Sequence, residues 1–294
     1  MRVLSTIVSL LLILFFNSCE EEVNAPIQET EPMLVVNSLI GTDSLIKIHL
    51  GKSSGFESVQ TISDITDARV TVYQNDQILG DMIHQQDGEY HLPDSYLQAN
   101  NTYKINISHQ DYSPVSTESR SLEKVAIDNL EMTNNQENKK IDFTLRFKDN
   151  PLSSNYYMIL LKEISNNNPQ NFNILTYYSD DIVFNGNLSV NSIGLQQNTV
   201  RGSRSFSDEI FNGEDVELSF YLLSSDISSI YSHLQIELYH MTEEYYKYER
   251  SYVAIENRDD LPFLKKIKLF SNVNGGYGIF TTFAVDKKLV QLEK

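Results

Sequence analysis

From residue 33 onward the chain alternates apolar and polar residues with a period of two. That period puts successive side chains on opposite faces of a strand and is incompatible with helices as the main element. Ile141-Asp-Phe-Thr-Leu-Arg-Phe147 shows it most cleanly. Ser44-Leu-Ile-Lys-Ile-His-Leu50, Arg69-Val-Thr-Val-Tyr73 and Thr102-Tyr-Lys-Ile-Asn-Ile-Ser108 repeat it. Six alanines against 26 asparagines also disfavour a helix-rich fold.

Short strands separated by turn signals at 8–12-residue spacing describe a β-sandwich over residues 33–121. Met33–Leu39 and Ser44–Leu50 form a hairpin around Ile40-Gly41-Thr42-Asp43. Gln77–Ile83 follows an Asn75-Asp76 turn, and Asp87-Gly88 turns into Glu89–Leu92. A second β-rich domain is expected over 122–294. Its strands are Val125–Leu130, Ile141–Phe147, Tyr156–Leu161, Val216–Leu223 and Leu234–Tyr239. Tyr156-Tyr-Met-Ile-Leu-Leu161 is continuously apolar, as a central strand covered on both faces would be. Residues 185–214 carry little to bury and read as a long functional or mobile excursion.

One helix is expected near 242–256. Thr242 caps it, Glu243 and Glu244 face the positive end of its dipole, and Met241, Tyr245, Tyr248 and Tyr252 share one face. A tyrosine stripe of this kind reads as a helix packed on a sheet, with a ligand platform the alternative. The fold class is therefore mostly β, with two β-sandwich-like domains and a packed helix in the second.

The first eighteen residues differ from everything after them. Arg2 precedes Val3–Phe16, which is apolar apart from Ser5, Thr6 and Ser9. Fourteen residues fall short of a ~30 Å hydrocarbon core, so 1–18 reads as a secretory signal peptide. Cys19, the single cysteine of the chain, stands where the peptidase would cut. Phe16-Asn17-Ser18-Cys19 resembles the lipobox of bacterial lipoproteins, in which the cysteine is diacylated and becomes the first residue. Three acyl tails at ~0.8 kcal/mol per buried CH₂ anchor such a protein permanently. Residues 19–32 then form an acidic flexible tether opening with Glu20, Glu21 and Glu22. An acidic run at that place resembles the export signal carrying Bacteroidetes lipoproteins to the outer face of the outer membrane.

Cleavage ahead of Cys19 takes the net charge from −17 to −18, since Arg2 is the one charge removed. That balance argues against nucleic acid or anionic lipid as an electrostatic partner. One cysteine excludes an intrachain disulfide framework and a cysteine-cluster metal site.

The motifs for chemistry are weak. Gly51-Lys-Ser-Ser-Gly55 fits G-x-S-x-G and nominates Ser53, but no helical period follows it, so it reads as a coincidence in a Ser/Gly turn. His49, His84, His91, His109, His233 and His240 show no zinc-ligand spacing, although His84 and His91 can approach across one hairpin. Asp180-Asp181 and Asp259-Asp260 lie outside any EF-hand pattern. Asp43-Ser44-Leu45 matches a three-residue O-glycosylation sequon of exported Bacteroidetes proteins. Gly275, Gly276 and Gly278 precede a strand, so they read as a structural turn or bulge rather than a phosphate loop. No catalytic, metal or cofactor-binding residue is assigned.

Several landmarks stand in order after Cys19: Leu34-Val-Val-Asn-Ser-Leu39, Asp67-Ala-Arg-Val-Thr-Val72, Gly88-Glu-Tyr90, Asn101-Thr-Tyr-Lys-Ile105, Tyr245-Tyr-Lys-Tyr248 and Ser271-Asn-Val-Asn-Gly-Gly-Tyr-Gly-Ile-Phe280. Together they resemble the Bacteroidetes lipoprotein family known as domain of unknown function 4249, over residues 19–290. The N-terminal part is also similar to the carboxypeptidase-regulatory or transthyretin-like sandwich. The resemblance implies no catalytic or binding residues. It implies a setting, because such lipoproteins commonly accompany TonB-dependent outer-membrane transporters. The expectation is a non-enzymatic outer-membrane lipoprotein, lipid-anchored and cell-surface exposed, serving such a transporter or capturing a glycan or peptide for it. An adhesin or envelope-structural module is the alternative.

Overall fold

A computed structural model describes residues 31–54, 63–165, 171–185, 199–200, 204–228, 233–256 and 267–292. The first half contains β1 (Leu34–Gly41), β2 (Leu45–Lys52), β3 (Ser63–Asp64), β4 (Arg69–Gln74), β5 (Gln77–Asp81), β6 (Ile83–His84), β7 (Glu89–Tyr96), β8 (Thr102–Ser108) and β9 (Val115–Arg120). The second contains β10 (Ile127–Asn135), β11 (Lys140–Lys148), β12 (Tyr156–Ile164), β13 (Phe172–Ile174), β14 (Tyr177–Tyr178), α1 (Ile182–Asn185), β15 (Thr199–Val200), β16 (Arg204–Ser207) and β17 (Asp215–Leu223). It closes with β18 (His233–Met241), α2 (Glu243–Glu256) and β19 (Tyr277–Gln291). The architecture is mostly β, with sheets packed as sandwiches and α2 the longest helix among the described residues.

Among the described residues, three sheets build it. The largest runs β13-β12-β18-β19-β1-β2-β7-β6, with β16 added beside β12 and β3 beside β2. A four-stranded sheet, β5-β4-β8-β9, faces one end of it, and a five-stranded sheet, β10-β11-β17-β14-β15, faces the other. The period-two pattern explains this directly. Val70, Val72, Tyr103, Ile105 and Ile107 turn inward from β4 and β8 to meet Leu34, Val36, Ile46, Ile48 and Leu50 from β1 and β2. In the second core Phe143, Leu145 and Phe147 of β11 and Leu218 and Phe220 of β17 meet Tyr157, Ile159 and Leu161 of β12. Each such fully buried side chain stabilises by about 1.5–3 kcal/mol.

β19 belongs to both halves. Its first part pairs in parallel with β1, from Val35↔Tyr277 to Gly41↔Phe283. Its second part pairs antiparallel with β18, from Met241↔Phe283 to His233↔Gln291. Phe280 and Val273 therefore enter the first core, while Val290 packs against the second. The expected division at 121/122 falls in the connection between β9 and β10, and the first core takes residues from beyond it. That connection is held from several elements. Thr42 Oγ1 donates to Leu122 O at 2.9 Å, His240 Nδ1 to Glu123 O at 2.8 Å, and Thr282 Oγ1 to Arg120 O at 2.7 Å. Asp286 accepts from Ile127 N at 2.8 Å and pairs with Lys124 at 3.2 Å.

Three local expectations are corrected. Gln77–Ile83 is two strands in different sheets: β5 stays with β4, Met82 turns into the core, and β6 joins β7. β9 is a strand without an apolar alternation in the sequence, because its inward residues are Val115, Thr117 and Ser119, two of them polar. The described end of the 185–214 stretch, residues 204–214, holds β16 and the buried Phe206 and Phe211, so this part is core.

Candidate functional site

α2 begins where β18 ends. Thr242 Oγ1 accepts the N–H of Tyr245 at 3.3 Å, as a capping threonine does, and Glu243 and Glu244 fill the first turn. The helix packs on the face of the large sheet turned away from the second core. Tyr246 stacks on Tyr156 at 4.7 Å and 27°, and Tyr245 lies 5.8 Å from Phe283. Burial pushes the Tyr245 hydroxyl up to about 12, with Glu249 adding to the shift. The expected stripe is thus shifted: Tyr246 joins the packing, whereas Tyr252 in the exposed last turn is 47% exposed.

The Ser251 hydroxyl accepts the N–H of Phe270 at 2.9 Å and donates to Tyr248 O at 2.8 Å. This clamps the segment before the glycine turn alongside the helix. Between them opens a groove of about 670 Å³, within the ~300–1,000 Å³ range of small-molecule sites. The rings of Tyr246 and Phe270 and the cations Lys247, Arg250 and Lys268 line it, and none of its described lining residues is acidic. Glu243 pairs with Lys247 at 2.8 Å, Glu249 accepts from Ser205, and Glu256 bonds Tyr252.

A second groove, of about 440 Å³, lies on the outer face of the four-stranded sheet, among Arg69, Thr71, Tyr73, Ile78 and Asn106. At its Arg69 end the polar groups are engaged. Thr71 Oγ1 donates to Asp81 at 2.6 Å and Arg69 pairs with it at 3.2 Å, and together they hold that carboxyl below the usual range.

A polar cluster is buried where β11, β12, β16 and β18 end. Asn155 N donates to Asp208 at 2.7 Å, Tyr157 OH to Asp149 at 2.5 Å and Gly213 N to Asp149 at 2.7 Å. His240 Nε2 lies 3.2 Å from Asn155 Oδ1. Burial raises the Asp208 carboxyl and the Tyr157 hydroxyl and lowers the His240 imidazole. Two carboxylates and an imidazole are the parts of an acid–base site. Here Asp149, Asn155 and Asp208 are 2–3% exposed and bonded to one another's strands, so the cluster ties strand ends together. The candidate site is the groove along α2.

The family described as Domain of unknown function (DUF4249) matches residues 20–289. The chain belongs to this family. A comparison with curated proteins finds no match. Among solved structures, the DUF4249 chain is similar to a β-glucuronidase of glycoside hydrolase family 2, with TM-score 0.23, 9% identity, and coverage of 72% of this chain and 19% of that one. It is similar to Escherichia coli alpha-2-macroglobulin activated by porcine elastase, with TM-score 0.22, 11% identity, and coverage of 72% and 18%. It is also similar to the collagen adhesin of S. aureus, with TM-score 0.23, 6% identity, and coverage of 88% and 94%. The chain thus spans less than a fifth of the first two, and likenesses at these TM-scores carry no argument.

Within this DUF4249 chain, Cys19, Glu20, Glu21 and Glu22 lie outside the described residues, as do Asp259, Asp260 and most of 186–203. Ser53 closes the first hairpin: its Oγ accepts from Met33 N at 2.9 Å. His49 bonds Asp64, His91 bonds Glu89 and His109 bonds Asp67. Among the described residues no three metal-ligating side chains converge. Asp181 accepts from Val183 N at the start of α1. Asp43 and Ser44 are exposed in the first turn. Gly275 takes φ +80° and Gly278 φ +105°, and a Cβ on Gly276 would meet Leu34 O at 2.6 Å. The groove residues Lys247, Arg250 and Lys268 were missed in the sequence. The available signal was a basic cluster, Lys265-Lys266-Ile267-Lys268, close behind a helix in an acidic chain.

Proposed function

We propose that the chain is a non-enzymatic lipoprotein of the outer membrane, anchored through Cys19 and displayed on the cell surface, that captures a ligand for a TonB-dependent transporter. The observation carrying the capture part is the groove along α2, a concave site of small-molecule size with rings and charged groups on both walls. The signal-like residues 1–18 and the acidic run Glu20-Glu21-Glu22 support the anchor and its location. The parallel β1–β19 pairing supports a rigid body suited to holding a ligand beside a barrel, with the N-terminal half in the role of a transthyretin-like sandwich.

The test is a mild-detergent pulldown of tagged protein from outer membranes, with mass spectrometry of its companions. A stoichiometric TonB-dependent barrel is the expected result. A solitary lipoprotein, or a Cys19→Ser variant that stays in the membrane fraction, overturns the reading.

A further inference from the structure

We infer that the groove on the outer face of the four-stranded sheet binds a short neutral oligosaccharide. This is a site other than the α2 groove, and it stands whether or not the chain serves a transporter. The strands that make it, and the connections between them, lie wholly within the described residues. Val70 and Val72 of β4 and Tyr103, Ile105 and Ile107 of β8 turn into the core, so the residues between them stand together on the outside. The ladder sets Thr71 opposite Asn106, Arg69 opposite Ser108, and Asn106 opposite Ser116 of β9.

The charge balance selects a neutral ligand. Arg69 is the one charged side chain among the lining residues, and Asp81 pairs with it at 3.2 Å. Thr71 holds the same carboxylate at 2.6 Å. The groove is thus balanced in a chain of net charge −17, whose field repels an anion, and it offers a cation no unpaired carboxylate. The hydrogen-bonding groups select hydroxyls. Tyr73, Asn106, Ser108 and Ser116 line the groove and make no side-chain hydrogen bond among the described residues, although Tyr73, Asn106 and Ser116 are half-buried. Three hydroxyls and an amide can each donate and accept, as sugar hydroxyls do. A peptide satisfies its backbone best along a strand edge, whereas these groups project from a sheet face. The apolar part selects a ring. Tyr73 stands opposite Ile78 in the β4–β5 ladder, and Ile78 is 71% exposed. Together they offer a patch for the C–H face of a pyranose, beside the groups that take its hydroxyls.

Calorimetric titration of the full chain, in a detergent without a sugar headgroup, tests this. The neutral probes are cellotetraose, maltotetraose, mannotetraose and acetylated chitotriose. Trigalacturonate is the acidic control and triglutamine the peptide control. The expected result is binding of at least one neutral saccharide that changes less than about twofold between roughly 50 and 500 mM NaCl, since no net charge is screened, with neither control bound. Tyr73→Ala, with unchanged circular dichroism, should weaken it at least about tenfold through loss of the ring contact, whereas Arg250→Gln in the α2 groove should leave it unchanged. Asn106→Asp, which replaces the amide donors at nearly constant volume, should weaken it likewise and carries the test if Tyr73→Ala unfolds. No neutral saccharide bound, equal binding of either control, or binding indifferent to both Tyr73→Ala and Asn106→Asp overturns the inference. Saccharide binding lost in Arg250→Gln alone does so too and assigns the sugar to the α2 groove. A solitary lipoprotein in the pulldown removes the transporter reading and leaves this inference to the titration.

Discussion

Gly278 faces Val36 across the parallel β1–β19 ladder so closely that a Cβ on Gly278 would stand 1.9 Å from the Val36 carbonyl oxygen. Its φ of +105° lies where L side chains are strained. Gly278→Ala is expected to cost more than about 3 kcal/mol, because the obstacle is backbone and cannot rotate away. Gly80→Ala, whose Cβ would meet only the end of the Leu92 side chain at 3.1 Å, should cost about 1 kcal/mol or less. Denaturant midpoints of the two variants check the contrast.

Phe280 is fully buried in the first core although it lies far along the chain from its neighbours there. Phe280→Ala should cost about 3–5 kcal/mol. A chain ending at residue 121 would lose Phe280 and Val273 and leave β1 without its parallel partner. It is expected to be insoluble or unfolded by amide exchange, where the full chain is protected. Cooperative folding of that fragment would show the first half needs no C-terminal strand.

Asp149 is buried and accepts from Tyr157 OH and Gly213 N. Tyr157→Phe removes one donor and leaves a buried carboxylate oxygen unpaired. A loss of about 1–3 kcal/mol follows. An unaltered melting temperature would mean that water reaches the site.

Glu237 is 0% exposed, paired with Lys162 at 2.8 Å and Lys287 at 3.2 Å, and accepts from Tyr239 OH at 2.8 Å. Burial pushes its carboxyl up, but the Lys162 and Tyr239 hydrogen bonds and both lysine charges outweigh that, so the pKa is lowered from 4.5. The folded state thus favours the ionised form. Its stabilisation is present above pH 4.5 and is lost as pH falls through the lower folded value. Glu237→Gln should destabilise by about 1–3 kcal/mol at neutral pH, and the gap to the parent should close in acid. Melting curves across pH 3–7 check this, and a pH-independent gap contradicts it.

Much of the strand map was legible because it is local. Thr102–Ser108 and Ile141–Phe147 alternate so regularly that their inner faces can be named from the sequence, and Thr242 with two following glutamates marks the helix start. Strands with polar inward residues, such as β9, carry no such signal. Nor does the candidate groove, since Lys247 and Lys268 are brought together by tertiary contacts such as the hydrogen bond from Phe270 to Ser251.

The sequence by itself determined the β class, the inner faces of the strands, the helix start and the acid excess, because each depends on periodicity, capping or composition within a few residues. Tertiary structure alone decided that β19 pairs with β1 in one direction and β18 in the other, joining both cores in one sheet. It alone placed three cations around one groove. Partner choice between strands is set by burial and backbone fit over hundreds of residues, and no local pattern encodes it.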